Sequence, residues 1–305
     1  MIQRAEGSIG PNISVAGNHI YPGYLIKGQK KALMIEAGIN FLGPTYVRHI
    51  EHFFGDSALL DYILVTHSHY DHLGALSYLK RRIPTAKAGA APRVGHLMKK
   101  NSVLSAMNFL SKQLWEYFKD NKPGPADDDI RIDSLDFDLK LQEGDVIDMG
   151  GMSCHVYETP GHTSDHLSYY VPEISVLFPG EALGNPAGDG TGIKVEFLTS
   201  YEDYMDSIEK LKKLDAKVIA MSHLYVYTGE DAGWYINQTA QATIEYRWLI
   251  EQYLNDAHGS IDSATNQMVK VEYDEKGSIL MERNAYIANL KAQIKAVSEI
   301  TGASG

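Results

Sequence analysis

His67, His69, Asp71 and His72 fall within six consecutive residues of the stretch VTHSHYDHLGAL, residues 65–76. Imidazole nitrogen and carboxylate oxygen are the ligands that zinc and related ions take at about 2 Å, and several such groups on one loop can be aimed at a common point. His67 and His69, two apart on extended backbone, can face one point. Asp71 and His72, at the start of the following turn, can face a second a few ångströms away. With only 12 histidines in 305 residues, such a cluster is improbable as a merely solvated polar turn, and a metal site is the reading it supports.

The neighbouring text must position this loop. DYILVT before it is a short, nearly all-apolar run of the buried-strand type, and Leu73, Leu76, Leu79 and Ile83 after it share one helical face that Pro84 ends. The motif is therefore a strand-to-helix loop. From Ile13 to Ile39, ISVAG, YPGYLIKG and ALMIEAG read as strands joined by tight glycine turns, and PTYVRHIEHFFG (44–55) has helical spacing. Residues 93–122 read as one or two helices, with Leu104, Met107, Leu110, Leu114 and Phe118 at three- and four-residue steps, forming an insert between strands. PGPADDDI then makes a loop whose aspartates read as solvated surface. Strand-like text resumes in LKLQEGDVIDM, MSCHVYETPGH, HLSYYVPEISVLFPG and AKVIAMSH. From Asp231 the character changes to two long helical stretches, separated by a turn-rich GSIDSATNQ.

Composition narrows the function class. Hydrophobic residues make up 44% and charged residues 22%, an ordinary globular balance. The formal charge of −11 argues against a nucleic-acid backbone as the main partner, since phosphate binding is driven by Lys/Arg. The single cysteine, Cys154, cannot form an internal disulfide, and no apolar run reaches the roughly 18 residues of a membrane span, so a cytoplasmic protein without membrane contact is expected. No Gly-x-Ser-x-Gly elbow is present. GDGTGIK (188–194) lacks the Walker pattern and reads as a loop, and Cys154 in strand-like MSCHVY reads as a small buried residue.

The His-x-His-x-Asp-His pattern after an apolar strand resembles the signature of the metallo-β-lactamase-fold hydrolase superfamily. That resemblance implies a four-layer αββα sandwich with two metals at the open sheet edge, here over residues 1–230, followed by a C-terminal helical extension (231–305) that covers the cleft. It also implies three further ligands on strand-end loops. His162 in ETPGHTSDHLSYYV, Glu181 in VLFPGEALG and His223 in VIAMSHLYV stand at those places. By the family pattern, His67, His69 and His162 would hold one ion and Asp71, His72 and His223 the other, with Glu181 and a hydroxide between them. Two departures stand out: Glu181 replaces the usual bridging Asp, leaving open whether it bridges, and Ser222 and Leu224 flank His223 where glycines are usual.

Within that superfamily, His69 stands where an iron oxygen-reductase branch carries Glu, which sets that branch aside. The text is similar to glyoxalase II-like and thioesterase-like members, and more closely to quinolone-signal response proteins of the PqsE type. The resemblance implies a metal-dependent hydrolase using two divalent transition-metal ions (Zn, Fe or Mn) on a small ester or thioester, possible acyl-CoA types included, with Asp71 orienting the nucleophile. A regulatory protein acting on a partner through its helical tail, and a phosphodiesterase, are the alternatives. Tyr225, Tyr227 and Trp234 either line the pocket mouth or pack the tail. His166 is a supporting or structural residue; His19, His49, His52, His96, His155 and His258 have no partner at ligand spacing. A homodimer is left open by the sequence.

Overall fold

The computed structural model describes residues 1–119, 129–277, 279 and 281–301. Residues 123–128 of the acidic loop lie outside these. Asp129 lies inside them and pairs with Arg131 at 3.5 Å.

The strands in chain order are β1 (Ile2–Arg4), β2 (Ser8–Gly10), β3 (Ile13–Gly17), β4 (Pro22–Lys27), β5 (Ala32–Ile35), β6 (Tyr62–Leu64), β7 (Lys87–Ala90) and β8 (Leu139–Lys140). They continue with β9 (Val146–Asp148), β10 (Ser153–Glu158), β11 (Leu167–Val171), β12 (Val176–Phe178), β13 (Asn185–Ala187), β14 (Gly192–Lys194), β15 (Val218–Ala220) and β16 (Tyr225–Thr228). The helices are α1 (Gly43–Phe54), α2 (Tyr70–Leu73), α3 (Leu76–Arg82), α4 (Pro92–Leu97), α5 (Asn101–Phe118), α6 (Tyr201–Lys212), α7 (Glu230–Asp256), α8 (Ile261–Met268) and α9 (Arg283–Thr301).

Two compact units can be distinguished. The first comprises Met1–Glu158, Asp165–Gly180 and Ala216–Gly229, and the second Thr159–Ser164, Glu181–Asp215 and Glu230–Gly305. The second unit thus joins the helical tail to two earlier segments.

The first unit holds two seven-stranded sheets, ordered β2-β3-β4-β5-β6-β7-β8 and β1-β16-β15-β12-β11-β10-β9. One core serves both: Leu25, Ile26, Leu33, Met34, Ile63 and Leu64 from the first sheet meet Cys154, Val156, Tyr169 and Phe178 from the second. β6 lies between β5 and β7, parallel to both, which explains its unbroken apolar text, since a central parallel strand is covered on both faces. Helix α1 starts with Pro44 in its first turn, where a missing N–H costs nothing, and ends at Gly55 in the left-handed conformation. It buries Tyr46, Val47, Ile50 and Phe54. Within the described residues the insert forms the two helices α4 and α5, and residues 120–122 of it lie outside the described residues. Of its apolar positions Met107 is buried, whereas Leu110 is 41% exposed.

In the second unit, β13 and β14 form an antiparallel hairpin. GDGTGIK, expected as a loop, is its turn and second strand, tightened by Asp189 Oδ1 accepting from Thr191 N and Oγ1 at 3.0 and 2.6 Å. The stretch GSIDSATNQ, expected as turns, is mostly helix α8. Ser260 caps it by accepting from Ser263 N at 3.3 Å, and Ala264, Thr265 and Met268 bury one face. Its polar text hid a capped helix, because tertiary packing of one face outweighs weak propensity. α7, α8 and α9 pack on one another, and α7 and α9 also on α6. Among the described residues no helix is long and apolar enough to cross a membrane.

Candidate metal centre

The segment after β6 leaves the sheet at Val65 and Thr66, both fully buried. Val65 O accepts from Tyr169 Oη at 2.7 Å and Thr66 O from Leu167 N at 2.7 Å, so β11 of the opposite sheet fixes the point from which the histidine loop departs. His67 is fully buried and His72 is 2% exposed. α2 begins at Tyr70 with His69 as its cap residue, so Asp71 and His72 stand in its first turn.

Ligand-capable atoms of His67, His69, His162 and Glu181 all lie within 4.8 Å of one another, and so do those of Asp71, His72 and His223. His67 Nε2 and His69 Nδ1 are 3.0 Å apart, near the roughly 3.3 Å that two nitrogens about 2 Å from one tetrahedral ion would show. His162 Nε2 is 2.6 Å from Glu181 Oε2. In the other group, Asp71 Oδ2 lies 3.8 Å from both His72 Nε2 and His223 Nε2. Glu181 therefore falls with His67, His69 and His162; its Oε1 also accepts from Asn185 Nδ2.

What orients the rings is as informative as what they face. His67 Nδ1 is bonded to Thr66 Oγ1 at 2.9 Å, His72 Nδ1 to Glu36 Oε1 at 3.1 Å, His162 Nδ1 to Glu196 O at 2.6 Å and His223 Nδ1 to Ile20 O at 2.6 Å. An acceptor at Nδ1 fixes the tautomer with the proton there and leaves the Nε2 lone pair for a cation. Four rings share this arrangement, so the residues present fit divalent transition-metal ions.

Sequence reasoning missed Glu36. Its Oε1 accepts from Thr66 Oγ1 at 2.7 Å, Ser222 Oγ at 2.9 Å and His72 Nδ1 at 3.1 Å. Through Thr66 it steadies His67, and directly it steadies His72, so one carboxylate serves both groups. Glu36 has a left-handed backbone with φ 69°, a strain of order 1–3 kcal/mol that the surrounding bonds must hold. An acidic residue capping the apolar run ALMI in ALMIEAG was the available signal.

Two glycines are sterically required. Gly161 of the Pro-Gly-His turn has φ 126°, and a Cβ there would lie 2.4 Å from Tyr204 Cα and N. At Gly180, φ 59°, a Cβ would lie 2.4 Å from His166 Nε2. His166 is buried and its ring stacks on His67, centroids 5.1 Å apart, placing it beside the site. The Pro-Gly-His turn is closed by Gly161 O, which accepts from the N–H groups of Leu198, Thr199 and Ser200 at 3.1, 2.9 and 3.2 Å.

His223 is held against the 18–21 turn, in which Asn18 Oδ1 accepts from Ile20 N and Tyr21 N at 3.0 and 2.9 Å. That turn presents the Ile20 carbonyl, and the Tyr21 ring packs edge-on to His223, centroids 5.9 Å apart. Leu224, which stands where glycine is usual in the resembled family, has φ 65°. Burial alone would lower the His162 pKa, but the Glu181 carboxylate bonded to the ring and Glu196 outweigh it, and the pKa is raised. Burial pushes the Cys154 thiol well up, which removes it as a nucleophile. Of the aromatics expected at a mouth or in packing, Tyr227 is fully buried and Trp234 is 37% exposed.

The family model described as "Metallo-beta-lactamase superfamily" matches residues 21–223, a span that contains all seven ligand-capable residues and Glu36. The chain belongs to the metallo-beta-lactamase superfamily. Its superfamily relatives include a hydroxyacylglutathione hydrolase from Rhodopseudomonas palustris (strain BisB5), 30% identical over 152 residues, which are 50% of this chain and 43% of that protein. This chain thus spans less than half the length of that relative. The metallo-beta-lactamase fold-containing protein ST1585 of Sulfurisphaera tokodaii is 26% identical over 66% of this chain and 71% of its own. Among solved structures of the superfamily, TTHA1429 from Thermus thermophilus superposes with TM-score 0.67 at 18% identity, covering 96% of this chain and 95% of that one. ST1585 does so with TM-score 0.58 at 18% identity, covering 98% of each.

Proposed function

We propose that this superfamily member is a binuclear metal-dependent hydrolase of small esters or thioesters. The observation that carries it is the set of four histidines whose Nδ1 atoms are each tied to a fixed acceptor, turning Nε2 toward two carboxylate-bearing groups. In this reading His67, His69 and His162, with Glu181, hold one cation, and Asp71, His72 and His223 hold the second. Divalent ions bound there would supply Lewis acidity and a nucleophile at neutral pH.

The chain's own residues do the rest. Asp71, the carboxylate of the second group, accepts a hydrogen bond from the attacking water and sets its angle to the carbonyl carbon. Glu36 keeps His67 and His72 in register, so that both halves of the centre stay pre-organised. Thioesters are favoured over other electrophiles because the Rhodopseudomonas palustris relative named above is a hydroxyacylglutathione hydrolase, and a hydroxyacylglutathione is a thioester.

The test is metal analysis of the purified chain, followed by assays on acyl-glutathione and acyl-CoA thioesters, simple esters and bis-p-nitrophenyl phosphate. About two transition-metal ions per chain and thioester turnover, both lost in His162→Ala, are expected. Less than one ion per chain would sink the metal assignment, and turnover of the phosphodiester alone would sink the substrate class.

A further inference from the structure

The segment Val195–Phe197 follows β14 but lies outside its ladder, and it is buried, with Val195, Glu196 and Phe197 at 6%, 1% and 0% exposure. Buried carbonyls outside a ladder need partners from elsewhere. The Glu196 carbonyl takes the Nδ1–H of His162 at 2.6 Å. The carbonyl one residue earlier, Val195, takes the amide Nε2–H of Gln293 at 2.8 Å.

Gln293 is 4% exposed in helix α9, beside the buried apolar residues Leu290, Ile294 and Val297. Burying an amide there costs free energy unless both its ends are bonded. Both are: the other end, Oε1, accepts from Tyr246 Oη of α7 at 3.1 Å. The Tyr246 ring also packs on Phe197, centroids 6.3 Å apart. Two tail helices therefore grip the three residues whose middle carbonyl fixes the tautomer and direction of His162. An apolar side chain at 293 would fill the same space without that grip.

We propose that Gln293 is a positioning residue for His162: the C-terminal helices are part of how the metal centre is built, acting through the Val195–Glu196 backbone. This rests on the assignment of His162 as a ligand above. It implies that the tail is coupled energetically to the affinity for the ion in the first group, apart from any part it has in choosing substrates.

The test compares Gln293→Met, which keeps the length and deletes both polar ends, with Val297→Ala, which loosens the same helix without touching the relay, both in the full chain. Zinc affinity by competition with a chromophoric chelator is one readout. The other is solvent exchange of the His162 Nδ1–H in metal-free protein, followed by imidazole ¹⁵N NMR. Gln293→Met is expected to weaken zinc binding about tenfold, the lower end of the effect of disturbing a ligand's supporting bond, and to speed the ring N–H exchange. Val297→Ala should lower Tm and move neither. The two variants behaving alike in both readouts would overturn the proposal. Should Gln293→Met fail to fold, Tyr246→Phe, which deletes only the hydroxyl anchor, must speed the exchange or the proposal is wrong. A wild-type chain that takes up no zinc would overturn the ligand assignment instead, while ring exchange would still decide on Gln293.

Discussion

Glu36 Oε1 lies 3.1 Å from His72 Nδ1, and the two residues, 36 positions apart in the chain, are both at least 97% buried by side chain. The same oxygen receives the hydroxyls of Thr66 and Ser222. Replacing Glu36 with Ala leaves three buried donors without their acceptor, each costing about 1–3 kcal/mol. The expected outcome is a lower Tm and metal affinity reduced 10–100-fold, measured by chelator competition. Glu36→Gln retains one acceptor oxygen and should fall between. Unchanged affinity in Glu36→Ala would remove Glu36 from the supporting role given to it.

His162 gives a pH dependence with a definite sign. Its pKa is raised, burial being outweighed by the Glu181 carboxylate, so in metal-free protein the pair's contribution to stability is complete below the ordinary histidine value of about 6.5. It fades as pH rises through the raised native value. A cation needs the neutral ring, so affinity moves the other way and increases with pH across that window, with a proton released on binding. Calorimetric titration in two buffers of different ionisation enthalpy measures that proton. Affinity flat from about pH 6 to 8, around that histidine range, would refute the coupling.

Leu224 has the left-handed backbone, φ 65°, that costs a branched-chain residue about 1–2 kcal/mol, and its side chain is half-buried. Leu224→Gly removes that strain while losing partial packing and adding about 1 kcal/mol of backbone entropy. The terms nearly cancel, so a stability change within about 1 kcal/mol is expected, against the 2–5 kcal/mol typical of truncating a buried leucine. Urea denaturation checks it, and a loss above about 3 kcal/mol, inside that truncation range, would show that the side chain matters more than the strain.

Gly161→Ala should be among the most damaging single-methyl changes in the chain. The added Cβ meets backbone atoms of Tyr204 at 2.4 Å, which cannot rotate away as a flexible side chain could, and φ 126° is itself a conformation nearly restricted to glycine. A loss of at least about 3 kcal/mol and displacement of His162 are expected, read by thermal unfolding and by zinc content. A variant as stable and as metal-replete as the wild type would contradict the tight approach of these two segments.

The ligand-capable residues could be singled out in the sequence because each stands at the end of an apolar run or in a turn with a recognisable pattern: HSHYDH after DYILVT, His162 in Pro-Gly-His, Glu181 after VLFPG and His223 after VIAM. Ligand-capable side chains at strand ends leave such local marks, and the structure gathers these seven into two groups. The continuous apolar runs that marked these strands also reported burial correctly for β5 and β6, where every residue but Tyr62 is buried.

What the sequence could not show is what aims those side chains. The acceptors at His162 and His223 are backbone carbonyls of Glu196 and Ile20, and a carbonyl has no residue signature; only its position in three dimensions makes it a partner. Glu36 and Gln293 look like ordinary polar positions until the fold closes distances of 36 residues to His72 and 98 residues to Val195. The capped helix α8 was hidden for a related reason, since its buried face is defined by its neighbours α7 and α9 and not by its own polar text. Residue type determined which atoms can bind an ion; tertiary packing alone decided which lone pair each ring presents.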